Sequence, residues 1–297
     1  DHLDWHLNWE NYAKAKSSLI NKLKPQGKVI VNKDDTQAYD FIRHFYYSLA
    51  KNPLNFIEYS KQSEVKNINN SIDGLKFNYN NTVICIPIIG EYNIENALAT
   101  IKVAQNLGVK IEDIAESFNS FNGVKGRMEL MQTNPFGIIV DFAHNTDSLE
   151  KSLESIRNMS GVRKVISVFG SAGLRDKEKR YTMGEVAAKY SDVVIATSED
   201  PRTESLLDIN TEIIEGAIKS GARLIKRFAN HNEYLDYLNN PKNLELQDDK
   251  LIFAFDEENV QSRFDAIDFA IRIAKPNDVV ITEGKGHEQS LCFGTTE

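Results

Sequence analysis

Cysteine is nearly missing from these 297 residues: only Cys85 and Cys292 occur, far apart in the chain. Two distant thiols cannot form a metal cluster by themselves and do not outline a disulfide framework. Each lies between apolar or aromatic neighbours, which suits a buried free thiol. Long apolar runs are missing as well. A membrane-spanning helix needs ~20 consecutive apolar residues; neither such a run nor a secretory signal is present, so the expectation is a cytoplasmic protein outside the membrane. An excess of positive charge is also lacking, since 35 Lys and Arg against 43 Asp and Glu leave a net charge of −8. That balance argues against general binding of nucleic acid or anionic membranes, while leaving room for local basic loops. No methionine stands at position 1, so Asp1 need not be the natural start.

What is present is ordinary in bulk. With 41% hydrophobic and 26% charged residues, the composition is that of a soluble globular protein, at a length that suits two domains. WENYAKAKSSLINKL (9–23) reads as a helix stopped by Pro25 and Gly27, KVIVN (28–32) as a strand, and TQAYDFIRHFYYSLA (36–50) as a helix capped by Thr36. Between about 54 and 89, short runs such as LNFIEY, LKFNY and VICIPI alternate with Asn, Gly and Ser clusters, which predicts an antiparallel patch. Two helices, NIENALATIKVAQNLG with Gly108 at its end and IEDIAESFNSF, close this half.

Beyond NGVKGR (122–127) the rhythm is regular. The strand-like runs GIIVDF, KVISVF, DVVIAT, ARLIKRF, LIFAF and DVVIT alternate with helix-like segments. Near-continuous apolar strands of this kind are covered by helices on both faces, so the fold class is α/β, with a parallel, doubly wound sheet in this half. Ligands of such sheets collect beyond the carboxyl ends of the strands. There the sequence places DFAHNTDS, GSAGLRDKEKR, SEDPRTES and EGKGHEQS. Singly, each has a plain explanation: a solvated connector, a helix-start histidine, turn chemistry at Pro201, a glycine-permitted hairpin. Together they predict a rim lined by Arg175, Lys177, Lys179, Arg180, Arg202 and Lys285, suited to an anionic small molecule. The segment ANHNEYLDYLNNPKNLELQDDKLIFAFDEENVQ (229–261), rich in Asn and Asp, reads largely as a surface excursion.

The opening DHLDWH sets two histidines four apart. A zinc site would need a third ligand, and HLDWH lacks the glutamate of HExxH. DHLDWH with YAKAK, GEYNIENALA, GRME, DFAHNTDSLE, FGSAGLRDKEKR, EDPRTE and GKGHE occur in the order seen in the Mur ligases. GKGHE and the DPR loop resemble the E type, the UDP-N-acetylmuramoyl-tripeptide synthetases. The resemblance runs the whole length and implies two domains, 1–123 as the later part of a central ATP-binding ligase domain and 124–297 as a Rossmann-like carboxy-terminal domain.

It implies, further, that His2 and Lys16 serve a Mg²⁺ site, Lys16 as a carbamate whose oxygens are hard ligands. Asn93 and Asn96 would contact the adenine of ATP, with a helix N-cap the plainer role for Asn93. Arg127 would reach the ATP phosphates and Asp141 the ribose, with His144 beside them as a catalytic group. Arg175, Asp200, Arg202, Gly284 and Glu288 would hold the amino-acid substrate. The implied reaction joins an amino acid to UDP-MurNAc-dipeptide through an acyl phosphate, in a cytoplasmic monomer that serves peptidoglycan synthesis. Diaminopimelate is favoured over lysine because Arg202 suits a distal carboxylate, although Asp200 stands where diaminopimelate-adding members usually have Asn. The family's P-loop, GxxxxGK[ST], does not occur in these residues, which predicts a fragment inactive by itself. A non-catalytic nucleotide- or peptide-binding relative and a folylpolyglutamate-synthase-type ligase are the alternatives. A Rossmann oxidoreductase would need a GxGxxG that DFAHNT does not supply.

Overall fold

The computed structural model describes residues 6–246 and 250–295. His2 lies outside the described residues. The chain forms two compact units: residues through Asn69 with Lys76–Ile86 and Tyr92–Ser120, and Asn70–Leu75 with Pro87–Glu91 and everything from Phe121.

In the first unit, α1 (Trp9–Ser17) begins at Asn8, whose side chain accepts from Asn11 N, and tightens into a 3₁₀ turn at Ser18–Lys22 before Pro25. β1 (Val29–Asn32) pairs in parallel with β2 (Phe56–Tyr59), and α2 (Thr36–Ser48) lies between them in sequence. This corrects two expectations. The helix cap is Asp35, whose carboxylate accepts from Ala38 N at 3.1 Å, and Thr36 is the first helical residue. FIEY belongs to a βαβ unit and not to the antiparallel patch, because a full helix separates it from β1 and a parallel partner needs that crossover. After the single-turn α3 (Lys61–Glu64), the patch itself is β3 (Val65–Ser71), β4 (Gly74–Tyr79) and β5 (Thr82–Ile86). Their two-residue connections are the length that antiparallel neighbours permit. Cys85 on β5 is only half-buried, unlike Cys292. α4 (Asn93–Asn106) buries Ile94, Ala97, Leu98 and Ile101, an i, i+3, i+4, i+7 stripe, and Gly108 follows with φ +90°. α5 (Ile111–Asn119) ends the unit.

The second unit is a seven-stranded sheet. Its strands are β6 (Glu129–Gln132), β7 (Gly137–Val140), β8 (Val165–Phe169), β9 (Val193–Ala196), β10 (Arg223–Phe228), β11 (Leu251–Phe255) and β12 (Val279–Thr282), in the order β10-β11-β9-β8-β12-β7-β6. All neighbours are parallel except β6, which adds an antiparallel edge on β7. Four residues with one full charge gave β6 no periodicity to read. The helices are α6 (Thr146–Arg157), α7 (Glu178–Tyr190), α8 (Leu206–Lys219), α9 (His231–Leu238) and α10 (Gln261–Ile273). The segment 229–261 is not a surface excursion. It supplies α9, the fully buried β11 between β10 and β9, and Tyr234, which is 1% exposed and packs with Phe228, Phe255 and Phe269. Its asparagines cap instead of floating in solvent: Asn230 accepts from Glu233 N and Asn240 from Lys242 N.

Candidate functional site

β9, β8, β12 and β7 are consecutive neighbours in the second sheet and run parallel. Their four following loops therefore leave one edge side by side, as the loop chemistry predicts. After β7, the buried Asp141 ties two motifs together: Oδ1 accepts from Met128 N at 2.8 Å and Oδ2 from Ala143 N at 3.1 Å. The first task of this carboxylate is thus to join GRME to DFAH. Arg127 is exposed and its guanidinium lies over the Phe142 ring, 4.2 Å from the centroid. The His144 Nδ1–H donates to Phe142 O at 2.9 Å, which fixes a tautomer with a free Nε2 acceptor. Lys179, in the first turn of α7, donates to His144 O at 2.8 Å. Asn145 and Ser148 then form a capping box that opens α6.

GKGHE closes against both neighbours. Gly126 has φ +68°, and a Cβ there would lie 2.2 Å from His287 N, so only glycine lets GRME approach GKGHE. Gly284 has φ +101°, and its Cβ would meet Glu199 Oε2 at 2.3 Å. The Phe142 and His287 rings stack with centroids 5.4 Å apart. Lys285 reaches Asp200 Oδ1 at 2.8 Å and Glu288 Oε2 at 2.7 Å, while Cys292 N donates to the same Asp200 oxygen at 2.9 Å.

This pairing revises the basic rim. Arg180 is 1% exposed and bound to Glu204 (2.6 Å) and Glu212 (3.2 Å); Lys177 also pairs with Glu204. Hydrogen bonds from Arg180 come first among the causes that hold the Glu204 carboxyl down at about 2. Lys285 is spent on Asp200 and Glu288. Of the six rim cations, Arg175, Lys179 and Arg202 have no carboxylate within ion-pair distance among the described residues, and Lys179 is occupied by the His144 carbonyl. Arg202 Nη1 is anchored by donation to Gly173 O at 2.6 Å. It borders a cavity of about 360 Å³ lined also by Thr203, Ser205, Glu258 and Phe293. Arg202 and Asp200 both hold left-handed backbone, φ +56° and +43°. Such strain persists where surrounding contacts over-determine it, and here Arg202 N donates to Cys292 O while Gly173 N donates to Asp200 O.

Sequence reading passed over three buried groups behind these loops. Glu199 is buried, its Oε2 has no hydrogen-bond partner among the described residues, and burial pushes its carboxyl up to about 8 against the pull of Arg263, Lys179 and Lys285. Arg263 donates to Ser198 O (3.1 Å) and Glu283 O (2.8 Å), stitching two loops from beneath. Glu283 is fully buried and accepts from Ser152 and Ser167; burial raises it well above the carboxylate range. A charged residue directly at a buried strand's exit, as in TSED and ITEG, was the available signal.

In the first unit Lys16 is exposed, with its ammonium 5.6 Å from the Tyr12 ring centroid and no ion-pair partner among the described residues. It edges an apolar cavity of about 380 Å³ lined by Ile20, Leu23, Val29 and Val31. No group of three or more His, Cys, Asp or Glu able to hold a metal occurs among the described residues. An open amine that can take CO₂ nevertheless fits Mg²⁺, which accepts one or two anionic protein ligands and completes its shell with phosphate and water. Asn93 is the first residue of α4 and not its cap; Tyr92 holds that position. Asn96 Nδ2 donates to Asn93 Oδ1 at 2.9 Å, so the two amides act as a pair.

A family model described as the Mur ligase, glutamate ligase domain matches residues 126–286, and the Mur ligase middle domain matches 1–104. The chain belongs to the Mur ligase family. Among curated relatives, the UDP-N-acetylmuramoyl-L-alanyl-D-glutamate–2,6-diaminopimelate ligase of Fusobacterium nucleatum is 32% identical over 299 residues, covering 99% of this chain and 54% of the relative. The ligase of the same name from Helicobacter pylori is 34% identical, covering 89% and 61%. A solved structure of a ligase of that name matches with TM-score 0.58 at 25% identity, over 99% of this chain and 54% of that one. Folylpolyglutamate synthase of Mycobacterium tuberculosis matches with TM-score 0.61 at 15% identity, over 93% and 56%, a likeness of fold alone. The chain spans about half the length of the curated relatives it matches. No helix among the described residues is long and apolar enough to cross a membrane. Within this Mur ligase chain, Asp141, His144, Arg175, Asp200, Arg202, Gly284 and Glu288 lie on the loops that leave one sheet edge, and Arg127 lies on the segment that enters the antiparallel β6.

Proposed function

We propose that these residues serve an ATP-dependent ligation that adds diaminopimelate, in preference to lysine, as the third residue on UDP-MurNAc-L-Ala-D-Glu. The observation that carries the proposal is Arg202, without a carboxylate within ion-pair distance among the described residues and lining a cavity large enough for a diamino acid. The curated relatives, named as diaminopimelate ligases, support the same substrate. Meso-diaminopimelate ends in a second amino–carboxylate centre, and a planar guanidinium binds such a carboxylate in bidentate fashion. A lysine site would gain nothing from it, because a cation beside the substrate ammonium repels it.

In the proposed reaction the side-chain carboxylate of the dipeptide attacks the γ-phosphorus of ATP, forming an acyl phosphate and releasing ADP. The neutral amine of the amino acid then adds to the acyl carbon, and inorganic phosphate leaves from the tetrahedral adduct. Asn93 and Asn96 present a paired amide edge to the adenine. Arg127, pre-oriented on Phe142, supplies positive charge to the phosphates. A carbamate on Lys16, with His2, would hold Mg²⁺, which supplies charge neutralisation for the phosphates. His144, with Nδ1 held by Phe142 O, lies two residues before the start of α6 and accepts or relays a proton through Nε2. Arg175 and Arg202 orient the amino acid, and the mostly protonated Glu199 adds little negative charge behind them at neutral pH.

The test uses the open reading frame encoding these residues, expressed in full. Sustained ADP formation should require the dipeptide together with a nucleophile, and hydroxylamine in place of the amino acid should trap a hydroxamate of the dipeptide. ADP release that ignores the dipeptide, or no hydroxamate, would remove the acyl-phosphate reading.

A further inference from the structure

The far end of the amino acid is where a site for diaminopimelate and a site for lysine must differ, and this inference rests on the reading above. A free Asp200 would favour a distal ammonium and, two residues from Arg202, would draw that guanidinium onto itself. In the structure one oxygen of Asp200 is already engaged by other groups. Asp200 Oδ1 is held by Lys285 Nζ at 2.8 Å and by Cys292 N at 2.9 Å. The Lys285 and Asp200 side chains are only 10% and 15% exposed, so solvent screens the pair little. Burial would raise the Asp200 carboxyl, but the hydrogen bonds from Lys285 and Cys292 outweigh it and hold it below its usual value. Burial would likewise lower the Lys285 ammonium, and Asp200 and Glu288 together reverse that. Glu288, the other carboxylate among the residues expected to hold the amino acid, is bound to the same lysine at 2.7 Å.

We infer that Lys285 is a specificity-positioning residue: by holding one oxygen of Asp200 and fixing it to the Cys292 segment, it keeps Arg202 available for an anionic distal group. An aspartate held in this way behaves toward substrate much as an amide would. The sequence mixture of Asp200 with Arg202 is then compatible with a diaminopimelate site, because the third member of the set is a lysine from a different loop.

The experiment compares kcat/KM for meso-diaminopimelate and L-lysine in the full reading frame, using wild type, Lys285→Met, Asp200→Asn and the double variant. Lys285→Met should lower the diaminopimelate-to-lysine ratio by roughly tenfold or more, the scale of one close charge contact, chiefly through KM for diaminopimelate. Asp200→Asn supplies the reference for the pair, and adding it to Lys285→Met should restore most of the ratio that Lys285→Met loses. Should Lys285→Met not fold, Lys285→Gln takes its place and Lys285→Arg, which keeps the charge, should hold the wild-type ratio. A wild-type preference for diaminopimelate that Lys285→Met leaves unmoved, or a double variant no better than the single, overturns this inference alone. A wild type that ligates neither amino acid overturns the functional reading and this inference with it.

Discussion

Replacing Glu199 by Gln tests the electrostatics behind the rim. In the unfolded chain this carboxyl titrates near 4.5; in the folded chain burial lifts it to about 8. Between those values the folded state holds a proton that the unfolded state has released. The contribution is therefore fully present below the unfolded value and is lost as pH rises through the folded one, at about 1.4 kcal/mol per pH unit within the window. Integrated across the window, the contribution is on the order of 5 kcal/mol, with the attraction of Arg263, Lys179 and Lys285 for the ionised form already included in the folded value. Glu283 adds a slope of the same sign, since burial raises it too. Gln keeps the shape of the neutral acid but cannot ionise. Glu199→Gln should thus cost little at pH 5 and become the more stable protein above pH 8. Hydrogen exchange of β9 and β12 peptides in graded urea reports on the second unit directly. Wild-type and variant stabilities that run parallel from pH 5 to pH 8 would refute the reasoning.

Three further expectations concern single side chains. Arg202→Ala should cost diaminopimelate roughly 2–5 kcal/mol in kcat/KM while leaving lysine little changed, measured by competition; an equal loss for both would contradict the carboxylate-binding role. Lys16→Ala should nearly abolish ligation in the full reading frame, with partial rescue by added short-chain carboxylates, whereas near-normal activity would make Lys16 a surface residue. Tyr234→Ala should destabilise the second unit by about 3–5 kcal/mol in urea unfolding, the scale of a buried aromatic, and a change below 1 kcal/mol would mean that α9 is peripheral.

The helices and the parallel sheet were legible because their patterns are redundant. α4 repeats its buried stripe over two turns, and β8, β9, β11 and β12 are buried throughout and apolar except at Ser167 and Thr282. β3, VKNINNS, and β6, ELMQ, were not legible, since their pairing depends on neighbours and not on local hydrophobicity. FIEY was read with the wrong partners because strand pairing is a tertiary fact that a short apolar run does not encode. At the site, the loops could be read from their position after buried strands, but the state of their charges could not. Lys285 and Arg180 look like free cations in sequence, and only the fold brings Asp200, Glu204 and Glu212 to them. Glu199 was hidden for the converse reason: its environment, and not its identity, makes it unusual.

The central claim is tested most directly by the mass of the product. The full reading frame is incubated with ATP, Mg²⁺, UDP-MurNAc-L-Ala-D-Glu and an equimolar mixture of meso-diaminopimelate and L-lysine. The product should be a UDP-MurNAc-tripeptide heavier by one diaminopimelate residue, formed with one ADP per amide bond. A lysine-containing tripeptide as the main product, or ADP without any tripeptide, would contradict the account.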